Sequence, residues 1–201
     1  NDDRCDPPLR TEEVEDITAS VMRYPPAAPT SIGIEATDTG NGKRFAQQHG
    51  RDLKYVPELW KWLAWRDSHW EVDTAGEVFE RAKETAKTIF NRAAASDSEA
   101  VRSTLAKHAV QSLNRPRLTA MISMASTEKS VVLHMDRLDA DDFLLGVGNG
   151  VVNLRDGSFR ESRREDNLTL RSNARFDRDA TCPTFHAFLQ RVTGGDVELQ
   201  G

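Results

Sequence analysis

The chain has 201 residues, of which 38% are hydrophobic and 29% are charged, and its formal net charge is −5. This composition suits one domain of ordinary size, or one domain with an attached segment, and it offers no apolar run near the roughly 18 residues that a membrane span needs. Two widely separated cysteines, Cys5 and Cys182, favour a cytoplasmic protein without structural disulfides or zinc, while the acidic balance argues against a surface that is basic throughout.

The first segment in chain order is a predicted tail and linker over residues 1–35. Residues 11–17 predict the start of a helix, with Thr11 as its N-cap and acidic residues in its first turn. A proline-rich run at residues 24–29 ends this helix, because proline cannot continue it. We therefore expect the main domain to occupy residues 36–201.

Helical patterns dominate the first half of the main domain. One helix is predicted between Thr37 as its N-cap and Gly50 as its C-cap. Capping boxes at residues 74–77 and 96–99 predict two further helices, and Pro116 opens a third one after them. These three consecutive helices with short joints indicate a helical subdomain. Their apolar stripes contain Val78, Phe79, Ala82, Ala86, Ile89, Phe90, Ala93, Val101, Leu105, Ala109, Leu113, Leu118, Met121, Ile122 and Ala125.

Short aromatic and β-branched runs predict a small antiparallel meander between the first two helices. Its strands would cover residues 53–56, 61–65 and 70–72. All four tryptophans lie in this region, where they would either form the core of the meander or stack on bases of single-stranded DNA. We interpret them as core residues. They are Trp60, Trp62, Trp65 and Trp70.

The second half of the domain predicts the remaining β structure and a last helix. A hairpin over residues 145–160 would turn at Asp156-Gly157. Two further short strands are predicted at residues 131–133 and 168–171. The last helix would cover residues 183–192, with Phe185, Phe188 and Leu189 facing inward. The predicted fold class is therefore α+β, with a small antiparallel sheet and a helical subdomain of about three helices.

Two glycine-rich runs have spacings that do not match nucleotide-binding motifs. Gly40-Asn-Gly42-Lys43 lacks the first glycine and the final hydroxyl residue of a Walker A motif. The run from Gly146 to Gly150 continues as a strand, whereas the glycines of a dinucleotide-binding fingerprint open a helix. We interpret the first run as a helix start with solvated basic residues. In the second run, we expect Asn149-Gly150 to make a turn or bulge before the strand. Contacts from Lys43 and Arg44 to a DNA phosphate remain the alternative interpretation of the first run.

Residues suited to catalysis or metal binding are few. A metal-dependent hydrolase would need His49 with Asp38, or an acidic cluster near residue 140. The cluster consists of Asp139, Asp141 and Asp142. It has no second acidic motif as a partner, and none of the five histidines has metal-ligand spacing. We expect no catalytic residue and no metal site, and the hydrolase stays as an alternative function.

Several short motifs occur in an order that resembles one protein family. The most informative is Asn149-Gly-Val-Val-x-Leu154, within the hairpin. The others include Trp62-Leu-x-Trp65, His69-Trp70-x-x-Asp73 and Phe176-Asp177-x-x-Ala180-x-Cys182-Pro183-x-Phe185. Together these motifs resemble the domain that precedes superfamily 3 helicases in primase–helicases of satellite phages, plasmids and poxviruses. Residues 1–35 resemble the end of a primase C-terminal segment.

The resemblance implies a non-catalytic connecting or collar domain that supports assembly of the helicase ring and guides DNA in replication. ATP and Mg²⁺ would act in the helicase domain, and the collar domain would hold no cofactor. The implied partners are the helicase and primase domains of the same chain, single-stranded or forked DNA, and further copies in a homo-oligomer, with no membrane. A protein–protein oligomerisation scaffold without DNA contact is the alternative from a different class.

Charge and location, rather than a motif, supply the candidates for DNA contact. Cations near the helix start, in the first strand and around the hairpin would face a phosphate backbone. They are Lys43, Arg44, Lys54, Arg155, Arg160, Arg163 and Arg164. Acidic residues such as Glu161 and Glu165 interleave with the arginines, so a solvated charged face is the alternative interpretation.

Overall fold

The computed structural model describes residues 36–200, and within this range it has five α-helices and two small three-stranded antiparallel sheets. This content confirms the predicted α+β class. The tail, helix and linker predicted before residue 36 lie outside the described residues. In the described range, no helix is both long enough and apolar enough to cross a membrane.

The helical unit consists of residues 36–53 and 74–132. Its helices in the described range are α1 (Asp38–His49), α2 (Glu77–Ala94), α3 (Glu99–Ser112) and α4 (Arg115–Ala125). The three consecutive predicted helices are confirmed as α2 to α4, and α1 packs against α2 and α4. The core of this unit is built from buried apolar side chains, including Phe45, Ala82, Ala86, Ile89, Leu105, Ala109, Leu118 and Met121.

The caps of these helices agree with the sequence in one case and differ in two. Thr37 caps α1 as predicted, because its Oγ1 accepts a hydrogen bond from a first-turn N–H at 3.1 Å. The capping box predicted at residues 74–77 is wrong, since α2 is preceded by Gly76 with a φ of 79° and no side-chain cap. The box predicted at residues 96–99 is wrong as well, because Ser98 is the residue that caps α3.

Gly42 allows α1 and α4 to approach closely. A Cβ at this position would lie 2.5 Å from the Cβ of Met124 and 2.9 Å from the backbone nitrogen of Ala125. The glycine-rich run at residues 40–43 therefore lies inside a helix that packs on another helix. This placement confirms the predicted helix start and gives Gly42 a packing role. The interpretation of the neighbouring basic residues as solvated holds for Lys43 but is wrong for Arg44, which is 7% exposed.

The mixed unit consists of residues 54–73 and 133–200. The strands of its first sheet are β1 (Leu53–Val56), β2 (Lys61–Arg66) and β3 (His69–Val72), in the order β1-β2-β3, which confirms the meander. Trp70 is buried with Leu63, and the ring of Trp65 meets it edge to face at 5.3 Å. The core interpretation holds for Trp70 but is wrong for Trp60, which is 82% exposed.

The second sheet contains β4 (Leu144–Val147), β5 (Gly150–Asn153) and β6 (Phe159–Arg160), again in chain order. Val147 pairs with Gly150, so Gly148 and Asn149 form the first turn. Gly157, with a φ of 71°, lies in the second connection. The one hairpin predicted over residues 145–160 is therefore two hairpins that share β5, and the predicted turn at Asn149-Gly150 begins one residue earlier.

The two other predicted strands do not form. Residues 168–171 make single backbone hydrogen bonds instead of a ladder, since the carbonyl of Leu168 accepts from the N–H of Trp70 at 2.8 Å. Residues 131–133 contain one isolated bridge residue, Val132. Both runs have the composition of strands but lack the paired neighbour that makes a strand.

The last helix, α5 (Pro183–Val192), has the predicted bounds but not the predicted orientation. Phe185 is 57% exposed and Phe188 is 54% exposed, so the expectation that they face inward is wrong. Amphipathic spacing identifies an apolar face without showing what covers it. Short 3₁₀ helices complete the described secondary structure at Pro57–Leu59, Met135–Arg137, Arg164–Asp166 and Glu198–Gln200.

Candidate nucleic-acid interface

Arg44 lies inside the helical unit, with 7% of its surface exposed. Its Nη1 donates to Asn41 Oδ1 at 2.8 Å, and Asn41 Nδ2 donates to Ser112 Oγ at 2.9 Å. His108 Nε2 lies 3.1 Å from the same Asn41 oxygen, and burial together with the charge of Arg44 lowers the pKa of His108. Arg44 therefore satisfies a buried polar network and does not present its guanidinium at the surface.

The two lysine candidates differ in their surroundings. Lys43 is exposed on α1. Lys54 is half-buried in β1, where burial lowers the pKa of its ammonium group and the carboxylate of Glu165 partly opposes that shift. A cation close to a carboxylate attracts a phosphate less than an isolated surface cation does. Of the two, Lys43 is the better placed for a phosphate contact.

Arg155 and Arg160 are held by carboxylates of the mixed unit. The Nη1 and Nη2 atoms of Arg155 lie 3.2 and 3.0 Å from the carboxylate oxygens of Asp141, and this contact lowers the pKa of Asp141. The guanidinium of Arg155 also lies 4.1 Å from the ring centroid of Phe143. Arg160 donates twice to Asp166, with both distances at 2.7 Å. These pairs neutralise much of the charge that a phosphate would meet.

Arg163 and Arg164 are neighbours in sequence, but their side chains lie in different environments. Arg163 is exposed, and its backbone N–H donates to Asp166 at 3.1 Å. The guanidinium of Arg164 lies 5.1 Å from the ring centroid of Trp65, a cation–π contact. The carbonyl of Arg164 accepts from Trp70 Nε1 at 3.0 Å. Arg163 is therefore the outer member of the pair, while Arg164 packs on the first sheet.

The acidic cluster is divided among separate structural contacts. Asp139 accepts hydrogen bonds from the N–H of Thr169 at 2.7 Å and from the Thr169 hydroxyl. Asp141 is paired with Arg155. Among residues 36–200, no group of three or more His, Cys, Asp or Glu side chains is arranged to hold a metal ion.

The histidine–aspartate pair considered for a hydrolase does not come together. Asp38 and His49 are the two ends of α1, which separates them by about 16 Å along the helix axis. Asp38 accepts from Arg117 Nη1 at 2.6 Å, and His49 Nε2 lies 3.0 Å from Thr85 Oγ1. Burial, and then the charge of Arg81, lower the pKa of His49.

An open cavity of about 930 Å³ lies next to the second sheet of the mixed unit. Phe159 and Phe176 line it and stack on each other, with ring centroids 4.7 Å apart and planes inclined by 10°. Phe159 remains 39% exposed. Two exposed arginines, Arg175 and Arg178, line the same cavity, together with Asp177. The cavity thus combines accessible aromatic surface with two cations.

Asn149 and Gly150 hold the two rings in place. Asn149 Oδ1 accepts from the N–H of Phe176 at 2.8 Å, and Asn149 Nδ2 donates to the carbonyl of Phe176 at 3.0 Å. At Gly150, a Cβ would lie 2.6 Å from Cε2 of Phe159 and 2.3 Å from the carbonyl oxygen of Arg160. Asn149 therefore fixes the backbone of Phe176 by hydrogen bonds, and Gly150 leaves room for the ring of Phe159.

Sequence reasoning did not identify this cavity as a site. The sequence indicates a turn at Asn149-Gly150 and a family motif that begins at Phe176-Asp177, but no local pattern connects the two. The connection is a side-chain to backbone contact across 27 residues of chain, which local patterns do not show. The one usable signal was that both motifs belong to the same family pattern.

Comparison with models of known protein families identifies a match. No curated protein matches the chain. A family model described as "D5 N terminal like" matches residues 42–194, which is most of the chain and includes parts of both units. The chain therefore belongs to the D5 N-terminal-like family, the N-terminal domain of primase–helicases of the phage, plasmid and poxvirus type.

Proposed function

We propose that the chain is a non-catalytic connecting domain of a primase–helicase, which supports assembly of the helicase ring and guides DNA to it. The observation that carries this proposal is the family match over residues 42–194. In this function ATP and Mg²⁺ act in the helicase domain, and the chain works in the cytoplasm beside the primase and helicase domains of its own protein.

Exposed cations of the mixed unit support the DNA-guiding part of the proposal. Arg163, Arg175 and Arg178 are exposed, whereas Arg155 and Arg160 form ion pairs with Asp141 and Asp166. Contacts between such cations and phosphates give sequence-independent affinity that falls as salt rises. The net charge of −5 restricts the contact to a local basic area of the surface.

The test is a fluorescence-anisotropy titration with labelled single- and double-stranded DNA at about 50 and 200 mM salt. We expect salt-dependent binding, and replacement of Arg163 by Ala should lower the logarithmic salt slope for single strands by about 0.7. Arg51→Ala, an exposed arginine of the helical unit, is the charge-matched control and should keep the wild-type slope. Absence of binding at low salt would exclude DNA guidance by this chain.

The second candidate is an oligomerisation scaffold without DNA contact, in which α5 docks on a second copy of this chain. The exposed face of α5 favours it, because Phe185, Phe188 and Val192 follow helical spacing and are all more than half exposed. Large exposed apolar patches mark protein contact surfaces more often than random surface. Ring assembly requires contacts between copies, which makes the second copy the occupant to test.

Sedimentation velocity over a range of protein concentrations separates the two candidates. Concentration-dependent self-association that Phe188→Ser abolishes, combined with no DNA binding, would favour the scaffold. Phe143→Ser is the matched control, since Phe143 is an exposed phenylalanine of the same unit outside α5. Salt-dependent DNA binding that Phe188→Ser leaves intact would favour the DNA-guiding domain.

A further inference from the structure

We propose that the cavity lined by Phe159 and Phe176 binds an unpaired base of single-stranded DNA, with neighbouring phosphates held by Arg175 and Arg178. This inference rests on the DNA contact proposed above and assigns that contact to one site. None of these four residues was among the candidates that charge and location suggested.

The aromatic pair supplies the base-binding surface. The rings of Phe159 and Phe176 are parallel within 10° at a centroid separation of 4.7 Å, and Phe159 is 39% exposed beside the cavity. Every nucleobase has an aromatic face, so a stacking surface of this kind accepts single strands without regard to sequence. A cavity of about 930 Å³ is large enough for a base with its sugar.

The charged residues around the two rings suit a DNA strand, which carries phosphates, better than they suit an apolar ligand. Arg175 and Arg178 are exposed, lie within two residues of Phe176 and make no ion pair within residues 36–200. Asp177 is the acidic residue of the lining, and its Oδ1 already accepts from the N–H of Asp179 at 3.0 Å. The two cations of the lining therefore outnumber its one carboxylate, which favours contact with phosphates.

Asn149 and Gly150 order the site before any DNA strand binds. Asn149 holds both backbone groups of Phe176, and the missing side chain of Gly150 lets the ring of Phe159 lie against β5. Groups that are already ordered lose less conformational entropy when a ligand binds. A stacked pair in which Phe159 is 39% exposed and Phe176 is partly buried is accounted for if the pair serves as a binding surface, because an ordinary core would bury both rings.

The first measurement needs no variant. Anisotropy titrations compare an oligothymidylate of about 16 nucleotides with an abasic strand of the same length. Both strands carry the same phosphates, and only the first carries bases. We expect the oligothymidylate to bind at least about ten-fold more tightly, since stacking on one aromatic platform contributes that much.

Variants then assign the preference to the cavity. Phe159→Leu keeps an apolar side chain and should weaken oligothymidylate binding about ten-fold while leaving the abasic strand unchanged. The double change Arg175→Ala and Arg178→Ala should lower the salt slope by about 1.4 for both strands. Phe143→Leu and Arg51→Ala are the controls, each an exposed residue of the same type outside the cavity.

Each outcome decides the matter. Equal affinity for the two strands would overturn the base site while leaving DNA contact through phosphates, and no binding of either strand would overturn both proposals. An equal loss in Phe143→Leu and Phe159→Leu would show that the effect is not local. If free thymidine monophosphate displaced the oligonucleotide at a similar concentration to it, the cavity would be a site for a free nucleotide. The proposal that it binds a base of single-stranded DNA would then be overturned.

Discussion

The two units use their polar side chains in opposite ways. In the helical unit, Asn41 and Arg44 are buried, Arg44 donates to Asn41, and Asn41 in turn donates to Ser112. In the mixed unit, Asn149 holds a surface segment in place and Arg175 stays exposed next to it. A basic residue beside a conspicuous glycine motif is therefore a poor indicator of DNA contact by itself, because the packing of its element decides where its charge lies.

Removal of Asn41 should give the largest effect on stability. Asn41→Ala takes a hydrogen-bond partner from Arg44, Ser112 and His108 at once, in a site with little solvent. We expect the free energy of unfolding to fall by about 3 kcal/mol, measured by chemical denaturation. Lys43→Ala, two positions away and exposed, should change it by no more than about 0.5 kcal/mol. Similar costs for the two variants would contradict the buried network.

Glycines of the mixed unit provide the next test. Gly150→Ala places a Cβ 2.3 Å from the carbonyl oxygen of Arg160, which belongs to the backbone of β6 and cannot rotate away. We expect a loss of about 2 kcal/mol and a weaker affinity for oligothymidylate, because the ring of Phe159 must move.

Gly157 is the matched control for the loss of stability, although it also lines the cavity and is therefore no control for the affinity. It has a φ of 71° and nothing within 4 Å of the Cβ that would be added, so Gly157→Ala costs only backbone strain of about 1 kcal/mol. Gly157→Asn should cost less, since asparagine adopts the left-handed region more readily. Equal losses at Gly150 and Gly157 would show that close packing at Gly150 adds nothing.

The two arginine–aspartate pairs should differ in strength. Asp166 is the more buried acid and accepts two hydrogen bonds from Arg160, whereas Asp141 and Arg155 form an exposed pair. We expect Asp166→Asn to cost about 1.5 kcal/mol in unfolding free energy and Asp141→Asn no more than about 0.5 kcal/mol. Thermal or chemical unfolding measures both changes, and a reversed order would show that burial does not separate the pairs.

The sequence predicted the elements with clear periodicity and missed those defined by distant partners. The bounds of α5 followed from Pro183 and the residues after it, but the orientation of Phe185 did not, since spacing shows an apolar face and not its covering. The strand expected at residues 168–171 failed for a related reason. Its composition suits a strand, but a strand also needs a neighbouring strand to pair with, and the tertiary structure decides whether that neighbour is present.

The candidate site was predicted less well than the fold. Charge and position selected Arg44, which the packing of α1 buries, and Arg160, which Asp166 holds. Arg175 is not among them, because no local pattern distinguishes it from the other arginines between residues 155 and 178. The aromatic pair that distinguishes its surroundings forms only when Phe159 and Phe176 meet, 17 positions apart in the sequence.

The smallest expected effect is a pH dependence of opposite sign in the two units. In the helical unit, burial lowers the pKa of His49 and of His108 below the ordinary value of 6.5, so the unfolded chain binds more protons than the folded one. Their contribution to stability is therefore lost as the pH falls below about 6.5. In the mixed unit, a hydrogen bond to Glu58 raises the pKa of His134, so its contribution is present below 6.5 and is lost as the pH rises through the folded pKa.

Residue-resolved amide exchange between about pH 5 and pH 8, corrected for the intrinsic exchange rate, measures both trends in the same sample. Protection in α1 and α3 should fall towards the acidic end, while protection near residues 134–138 should fall slightly towards the basic end. His134→Gln should remove the second trend and leave the first, because His134 is exposed and its partner Glu58 lies in the same unit. If protection changed with pH in the same direction in both units, one global titration would control stability rather than the separate surroundings of these histidines. The contrast between the units would then not include their protonation.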